Sequence, residues 1–417
     1  MRAVTGRIPR HEELQREAAA AGGAKLDWPA PRRPADAVDE VEHDLATLRA
    51  LIDTADRQAV RGQAHYLLGL NDALRRSVTR RWVRARARWL PQDGLIRVAP
   101  ATQPMLQAQR LNTRPYSVSA LQKFTTCPYQ FVLSAIYRFA PNDPPEPLQR
   151  LDPLTRGSLF HEVQASVLRT LRTDGSLPLT SATVPHALRV LDKALTTTAA
   201  SYKEVLAPAI ERVWRDEIAA IGRDLRVWIR KLPDAAPWIP EYFEFSFGLK
   251  DEGRDERSQQ EPVLIDGRFL LRGSVDVIEV RHGSQELRIT DHKTGRNRTT
   301  PRMVIGGGGT LQPIVYGLAV EEALKRPVRE GRLFYATTAG GFTEHPIPLS
   351  AMNRRAGLEA LEIIDRAIEL GFLPAAPAER ACTWCDFRPI CGPDEARRVT
   401  RKAADPLGDL KALREMP

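Results

Sequence analysis

The sequence predicts an α/β or α+β core that carries a helical insertion. Three observations predict it. Apolar residues recur at threes and fours through much of 38–90 and 157–231, the period changes to two over 241–293, and helix and strand then alternate again after 311. At 417 residues the chain is too long for one ordinary core, so two or more units are expected.

The elements follow in order. Residues 1–40 are charged, Ala-rich and punctuated by Pro, which predicts a poorly ordered start. Val41, Leu45, Leu48, Leu51 and Ile52 set a helical stripe within 38–90, and Pro and Gly breaks make 91–115 a linker. Ser117 or Ser119 caps a helix running to about Phe139, interrupted near Pro128. A Pro-rich loop at 141–153 precedes a helix over 157–171, with Phe160, Val163, Val167 and Leu171 on one face. Two more helices fill 183–231, separated near Pro208. Residues 241–249, 263–280 and 286–293 alternate as strands. Gly306 to Gly309 reads as a flexible loop, followed by a helix at 311–325, strands at 331–338 and 342–349, and a helix at about 354–370.

Composition narrows the class. Hydrophobic residues make up 42% and charged residues 27%, ordinary values for a soluble globular protein. No apolar run approaches the ~20 residues that span a bilayer, so no membrane partner is expected. The first residues lack the apolar stretch of a signal peptide, which predicts a cytoplasmic location. No GxxxxGK[ST] occurs, and the four glycines at 306–309 lack the lysine and hydroxyl of a phosphate-cradling loop, so this chain alone is no P-loop ATPase. Net charge is +9, which fits a polyanionic partner and equally serves solubility. Residues 75–88 hold seven arginines and no acid; on a helix, Arg76, Arg80, Arg84 and Arg88 share one face. That face is either a solvated surface or a contact for DNA phosphates.

All four cysteines are Cys127 and the cluster Cys382, Cys385 and Cys391. In a reducing compartment disulfides are disfavoured, and four thiolates at one point suit a zinc ion or an iron–sulfur cluster.

Asp276 lies in an apolar strand, and Asp291 ends the next strand in I-T-D-H-K-T-G. A short turn joins the strands, so the carboxylates sit side by side, with Lys293 on the face of Asp291. Two carboxylates about 4 Å apart repel by roughly 4 kcal/mol at an effective dielectric of 20. A divalent cation or a shared proton relieves this, and a hard cation such as Mg²⁺ also accepts a carbonyl oxygen, here that of His292. The alternative is structural pairing of each Asp with Lys or Arg. Alone, His161 reads as a surface or capped histidine, and Gln312 and Tyr316 as a polar i, i+4 helix pair.

Together these residues resemble the PD-(D/E)XK nuclease superfamily, in its RecB-like branch, from about Tyr116 to Cys391. S-V-S-A-L-Q-K-F-T-T-C-P-Y-Q-F resembles the start of the iron–sulfur nuclease domain of AddB-type and CRISPR-associated exonucleases. R-G-S-L-F-H-E, G-S-V-D, D-H-K and Q-P-I-V-Y resemble the family's further motifs in family order. His292 departs from the pattern, standing where an aromatic or small apolar residue is more usual.

The resemblance implies an α/β fold: a restriction-endonuclease-like core with a central mixed sheet flanked by helices, a helical insertion and an N-terminal helical region. The domains would be a basic helical region at 1–110, a nuclease domain at 111–400 with its insertion at about 180–235, and a tail at 401–417. The implied activity is Mg²⁺- or Mn²⁺-dependent hydrolysis of DNA phosphodiesters, as an exonuclease in double-strand break repair and recombination. Asp276 and Asp291 would be metal ligands, with His161 and the His292 carbonyl completing the shell. Lys293 would orient or activate water, and Gln312 and Tyr316 would support the site. Cys127, Cys382, Cys385 and Cys391 would hold a 4Fe–4S cluster, with structural zinc as the alternative. The partners would be single-stranded DNA or duplex ends, and a helicase subunit or domain that this chain lacks. The rival reading is a catalytically inactive DNA-binding or scaffold subunit.

Overall fold

The computed structural model describes residues 30–56, 58–141, 148–250, 254–392 and 395–417. The expected poor order of residues 1–29, and residues 142–147 of the expected Pro-rich loop, lie outside these. The chain divides between Arg86 and Ala87 into two units.

In the first unit, helix α1 (Glu40–Asp53) starts where the Asp39 side chain accepts from the Glu42 amide. Of its described residues only Ala46 is buried, and Val41 and Ile52 of the expected stripe are exposed. Helix α2 (Asp72–Arg84) is capped by Asn71, whose side chain accepts from Leu74 N. It carries Arg76, Arg80 and Arg84 but not Arg88, which falls past its end. The chain leaves the helix there because Leu90 precedes Pro91 and is extended, and because Trp89 is buried in the second unit. Trp89 meets the Phe372 ring edge-on at 5.7 Å, and its Nε1 donates to the Ala403 carbonyl at 2.8 Å.

The second unit begins at Ala87, so residues 87–110, read in the sequence with the N-terminal region, pack with the core that follows. Residues 91–115 are no open linker. Asp93 is fully buried and pairs with Arg398 and Lys402, each at 2.7 Å, while Leu106 and Leu111 are buried. Helix α3 (Val118–Thr126) is capped by Ser117 and stops at Cys127, which is extended. Helices α4 (Pro153–Thr173), α5 (Val184–Leu206) and α6 (Glu211–Lys231) follow; Asp152 caps α4 by accepting from Leu154 N and Thr155 N.

The strands are β1 (Trp238–Phe247), the short β2 (Val263–Ile265) and β3 (Phe269–Leu271), β4 (Gly273–Arg281) and β5 (Leu287–Lys293). The single strand expected over 263–280 is therefore interrupted. Asp266 and Gly267 both adopt positive φ (52° and 64°), and this Asp-Gly turn folds β2 back on β3 before β4 begins. Helix α7 (Gln312–Leu324), strands β6 (Val328–Tyr335) and β7 (Glu344–Pro348), and helix α8 (Ala351–Glu369) come next. The stretch expected as a tail forms helix α9 (Gly408–Glu415), which buries Leu410 and Leu413 three residues apart.

β1, β4, β5, β6 and β7 form one sheet in that order. Only the β5–β6 pairing is parallel, joined through α7 as a crossover; the others are antiparallel. This mixed α/β sheet flanked by helices is the architecture the sequence implied. One apolar core holds residues of α3, α7, α8 and α9; a second holds residues of α4, α5 and α6. Strand β1 contributes to both. Phe243 and Val277 are register partners in the second core, whereas Phe245 and Val275 are partners in the first. The switch falls at Glu244, whose φ is +57°.

Gly306 to Gly309 is close-packed rather than open. Gly308 has φ +78°, and a Cβ there would collide with Thr125. On the sheet, buried Glu279 accepts from Arg288 at 2.7 and 2.8 Å, from Thr290 Oγ1 at 2.7 Å, and from Arg332 at 3.2 Å. Burial pushes the Glu279 carboxyl up, but Arg332 and Arg288 outweigh burial and hold it at about 2.

Candidate active site

The register of β4 and β5 decides where the two aspartates fall. Val277 pairs with Thr290 and Ile278 with Ile289, so Asp276 stands opposite Asp291 on the same face. The His292 amide donates to Asp276 Oδ2 at 2.6 Å, which locks the carboxylate to the neighbouring strand. Burial pushes the Asp276 carboxyl up to about 7; His161 opposes this, while Asp291 and Glu244 add to it.

Lys293 Nζ lies 2.6 Å from Asp291 Oδ2 and donates to Gln312 Oε1 at 2.6 Å. Burial works against the Lys293 charge, but Asp291 outweighs it and the net direction is up, so the ammonium keeps its proton. Gln312 thus reaches the end of β5 from the first turn of α7, and Tyr316 follows one turn later. The Tyr316 phenol is pushed well above its ordinary range, first by burial and then by the carboxylates of Asp291 and Asp276. Its ring packs on Gly273, where a Cβ would come within 2.7 Å of the phenol oxygen. A side chain at 273 would displace the tyrosine.

His161 approaches from α4. Its Nδ1 is buried 3.3 Å from Asp276 Oδ2 without meeting hydrogen-bond geometry, and it has no hydrogen-bond partner among the described residues. Glu244, which sequence reasoning missed, arrives from β1. Donor atoms of His161, Glu244 and Asp276 all lie within 4.8 Å of one another. The available signal was one acid in the apolar run F-E-F-S-F. What hid it was the positive φ, which no alternation pattern reports. Asp291 stands outside this trio, and its Oδ2 faces Lys293.

His161, Glu244, Asp276 and Lys293 line a cleft of about 760 Å³. Its floor is Glu244, Asp276 and His292 to Gly295; its roof is the face of α4 from Pro153 to Arg169, with Tyr202 of α5. The His292 ring is buried 6.0 Å from Trp228 and 5.5 Å from Phe334. Burial first, with electrostatic contributions from His161 and Arg332, drives its pKa well below the usual value. A neutral imidazole among aromatic rings explains how His292 fills an aromatic or apolar position.

A model of the PD-(D/E)XK nuclease superfamily matches residues 115–392, the larger part of the chain. The chain belongs to the PD-(D/E)XK nuclease superfamily. Among relatives, a CRISPR-associated exonuclease Cas4/endonuclease Cas1 fusion of Leptospira interrogans is 30% identical over 156 residues, 35% of this chain. The chain spans about a quarter of that protein's length, 26%.

PD-(D/E)XK nucleases use divalent metal ions. The residues present fit such an ion. An imidazole nitrogen with no hydrogen bond faces two carboxylates, and one of those carboxyls is held up towards neutrality by burial and like charge. The cysteines form a separate cluster. Cys127, Cys382, Cys385 and Cys391 line a common cavity with Phe387 and Leu133. Burial pushes the Cys127 thiol up to about 11, and Cys385 adds to the rise. Burial also raises Cys382, again with Cys385 contributing. Thiols that oppose one another's ionisation suit a bound metal centre, which would compensate the charge. Among the described residues no helix is long and apolar enough to cross a membrane.

Proposed function

We propose that this chain is an Mg²⁺- or Mn²⁺-dependent deoxyribonuclease, an exonuclease that hydrolyses DNA phosphodiester bonds. One observation carries the reading: His161, Glu244 and Asp276 converge from a helix and two strands on a cleft shared with Lys293. The exonuclease named in the Leptospira relative supports it across the matched segment.

When bound, a divalent ion supplies positive charge against the phosphate and makes water more acidic at neutral pH. His161, Asp276 and Glu244 would hold it, with Asp291 and the His292 carbonyl as further oxygen donors. Lys293 would face the phosphate as a cation rather than as a base, because its pKa is raised. Gln312 fixes the ammonium's direction, and Tyr316 carries the helix that presents Gln312. We further propose a 4Fe–4S cluster on the four cysteines, with structural zinc as the alternative. Phosphate contacts by Arg76, Arg80, Arg84 and Arg88 and action beside a helicase motor in double-strand break repair complete the proposal. The rival, an inactive scaffold, has to explain why Asp276 and Lys293 face one cleft with His161 and Glu244.

The test is cleavage of end-labelled single- and double-stranded DNA with Mg²⁺ and with chelator. Shortening of the labelled strand only with metal is the expected result; none with Mg²⁺ or Mn²⁺ would leave the scaffold reading.

A further inference from the structure

Glu244 is the least expected member of the site, and two hydrogen bonds converge on one of its oxygens. Arg254 Nη1 donates to Glu244 Oε2 at 2.7 Å. The Ser274 hydroxyl donates to the same Oε2 at 3.0 Å. Arg254 Nη1 also lies 3.2 Å from Ser274 Oγ, closing a triangle. Ser274 is two residues before Asp276 on β4, so it stands on the same strand as the carboxylate that Glu244 approaches. Glu244 itself takes φ +57°, a region that a residue with a Cβ enters rarely and at a free-energy cost. Without that turn of the backbone, Glu244 would alternate regularly with Phe243 and Phe245. With it, the carboxylate comes within reach of His161 and Asp276.

We propose that Arg254 and Ser274 are positioning residues that hold Oε2 of Glu244 and so aim the carboxylate at a divalent cation. This inference rests on the metal-site reading given above. The guanidinium has two effects of opposite sign. Its charge beside a ligand carboxylate opposes cation binding, whereas its fixed direction removes the orientational freedom that the carboxylate would lose on binding. Ser274 carries no charge and contributes orientation alone. The two residues therefore separate direction from charge.

The experiment is Mn²⁺ binding to the full chain without DNA, read by the loss of the free-ion paramagnetic signal, for wild type, Ser274→Ala, Arg254→Gln, Arg254→Lys and Glu244→Gln. Thermal melting of the metal-free proteins runs in parallel. Ser274→Ala and Arg254→Gln are each expected to weaken Mn²⁺ binding about tenfold to a hundredfold, as for other groups that orient metal ligands. Their metal-free melting should stay near that of wild type, and Arg254→Lys should recover part of the affinity. Equal or tighter binding by both Ser274→Ala and Arg254→Gln overturns the positioning role. A wild-type protein that binds no Mn²⁺, or a Glu244→Gln variant that binds as wild type does, overturns the metal-site reading itself, so the two failures are distinguishable.

Discussion

The His292 amide and the Asp276 carboxylate are joined by a 2.6 Å hydrogen bond between β4 and β5. The backbone of the acid–lysine strand thus aims the carboxylate that faces it. The same carboxyl is raised to about 7, first by burial. In the unfolded chain it titrates near 3.8, so the folded form holds its proton more tightly. The resulting stability is fully present below 3.8 and is lost as pH rises through 7.

Asp276→Asn is therefore expected to have opposite effects on stability and activity. In metal-free protein at pH 8 it should raise Tm by several degrees. The full shift corresponds to about 4 kcal/mol, of which a side chain 19% exposed realises a part. Below pH 4 the two proteins should melt alike. Cleavage should fall to background at every pH while DNA binding persists. Retained cleavage would remove Asp276 from the mechanism.

Lys293→Ala removes the one ammonium aimed at the cleft by Gln312. Loss of such an electrostatic group lowers kcat by roughly 10²–10³-fold. Single-turnover cleavage under saturating DNA is the measurement; unchanged rates would assign Lys293 to structure alone.

Glu279→Gln addresses the sheet. It leaves the buried Arg288 and Arg332 with only the more exposed Glu330 and Glu344 as counter-charges, at 3.6 and 2.7 Å, so the loss is a part of the about 3–5 kcal/mol that a fully broken buried pair costs. Wild-type Glu279 titrates at about 2 against 4.5 unfolded, so its contribution is present above 4.5 and is lost as pH falls towards 2. Urea titrations at pH 7 and pH 3 should show a gap between wild type and variant that narrows in acid.

Cys385→Ser should abolish the visible absorption of anaerobically purified protein and lower its Tm, whereas Asp276→Asn should keep the absorption. A colourless wild type that contains zinc would decide for zinc.

Arg76→Gln and Arg80→Gln should each reduce the slope of log affinity for DNA against log salt by about 0.9 on duplex. An unchanged slope would leave α2 a solvated helix.

Much of this was legible in the sequence because it is written in short-range patterns. The D…DxK pairing follows from period two and one short turn, and α7 follows from its period. Three things were not legible, for distinct physical reasons. Glu244 depends on a backbone torsion that alternation cannot encode. Arg88 leaves the basic helix because Trp89 is drawn into a core assembled with Phe372 and Ala403, some three hundred residues on. The close packing of Gly306 to Gly309 depends on Thr125, which is also remote in the sequence. The β2–β3 hairpin was the opposite case, since its Asp266-Gly267 signal stood in the sequence inside what reads as one long strand.

The crossover from β5 through α7 to β6 also bears on when the proposed catalytic set is assembled. The β4–β5 hairpin is local and can form early, bringing Asp276 and Asp291 together. Gln312 reaches Lys293 only after the chain has passed over the sheet and β6 has docked in parallel, a slower, non-local closure. His161 and Glu244 must likewise be brought in from elements formed earlier in the chain. A growing or half-folded polypeptide would therefore carry the acids without the aimed ammonium, and the proposed cleavage would wait on completion of the sheet.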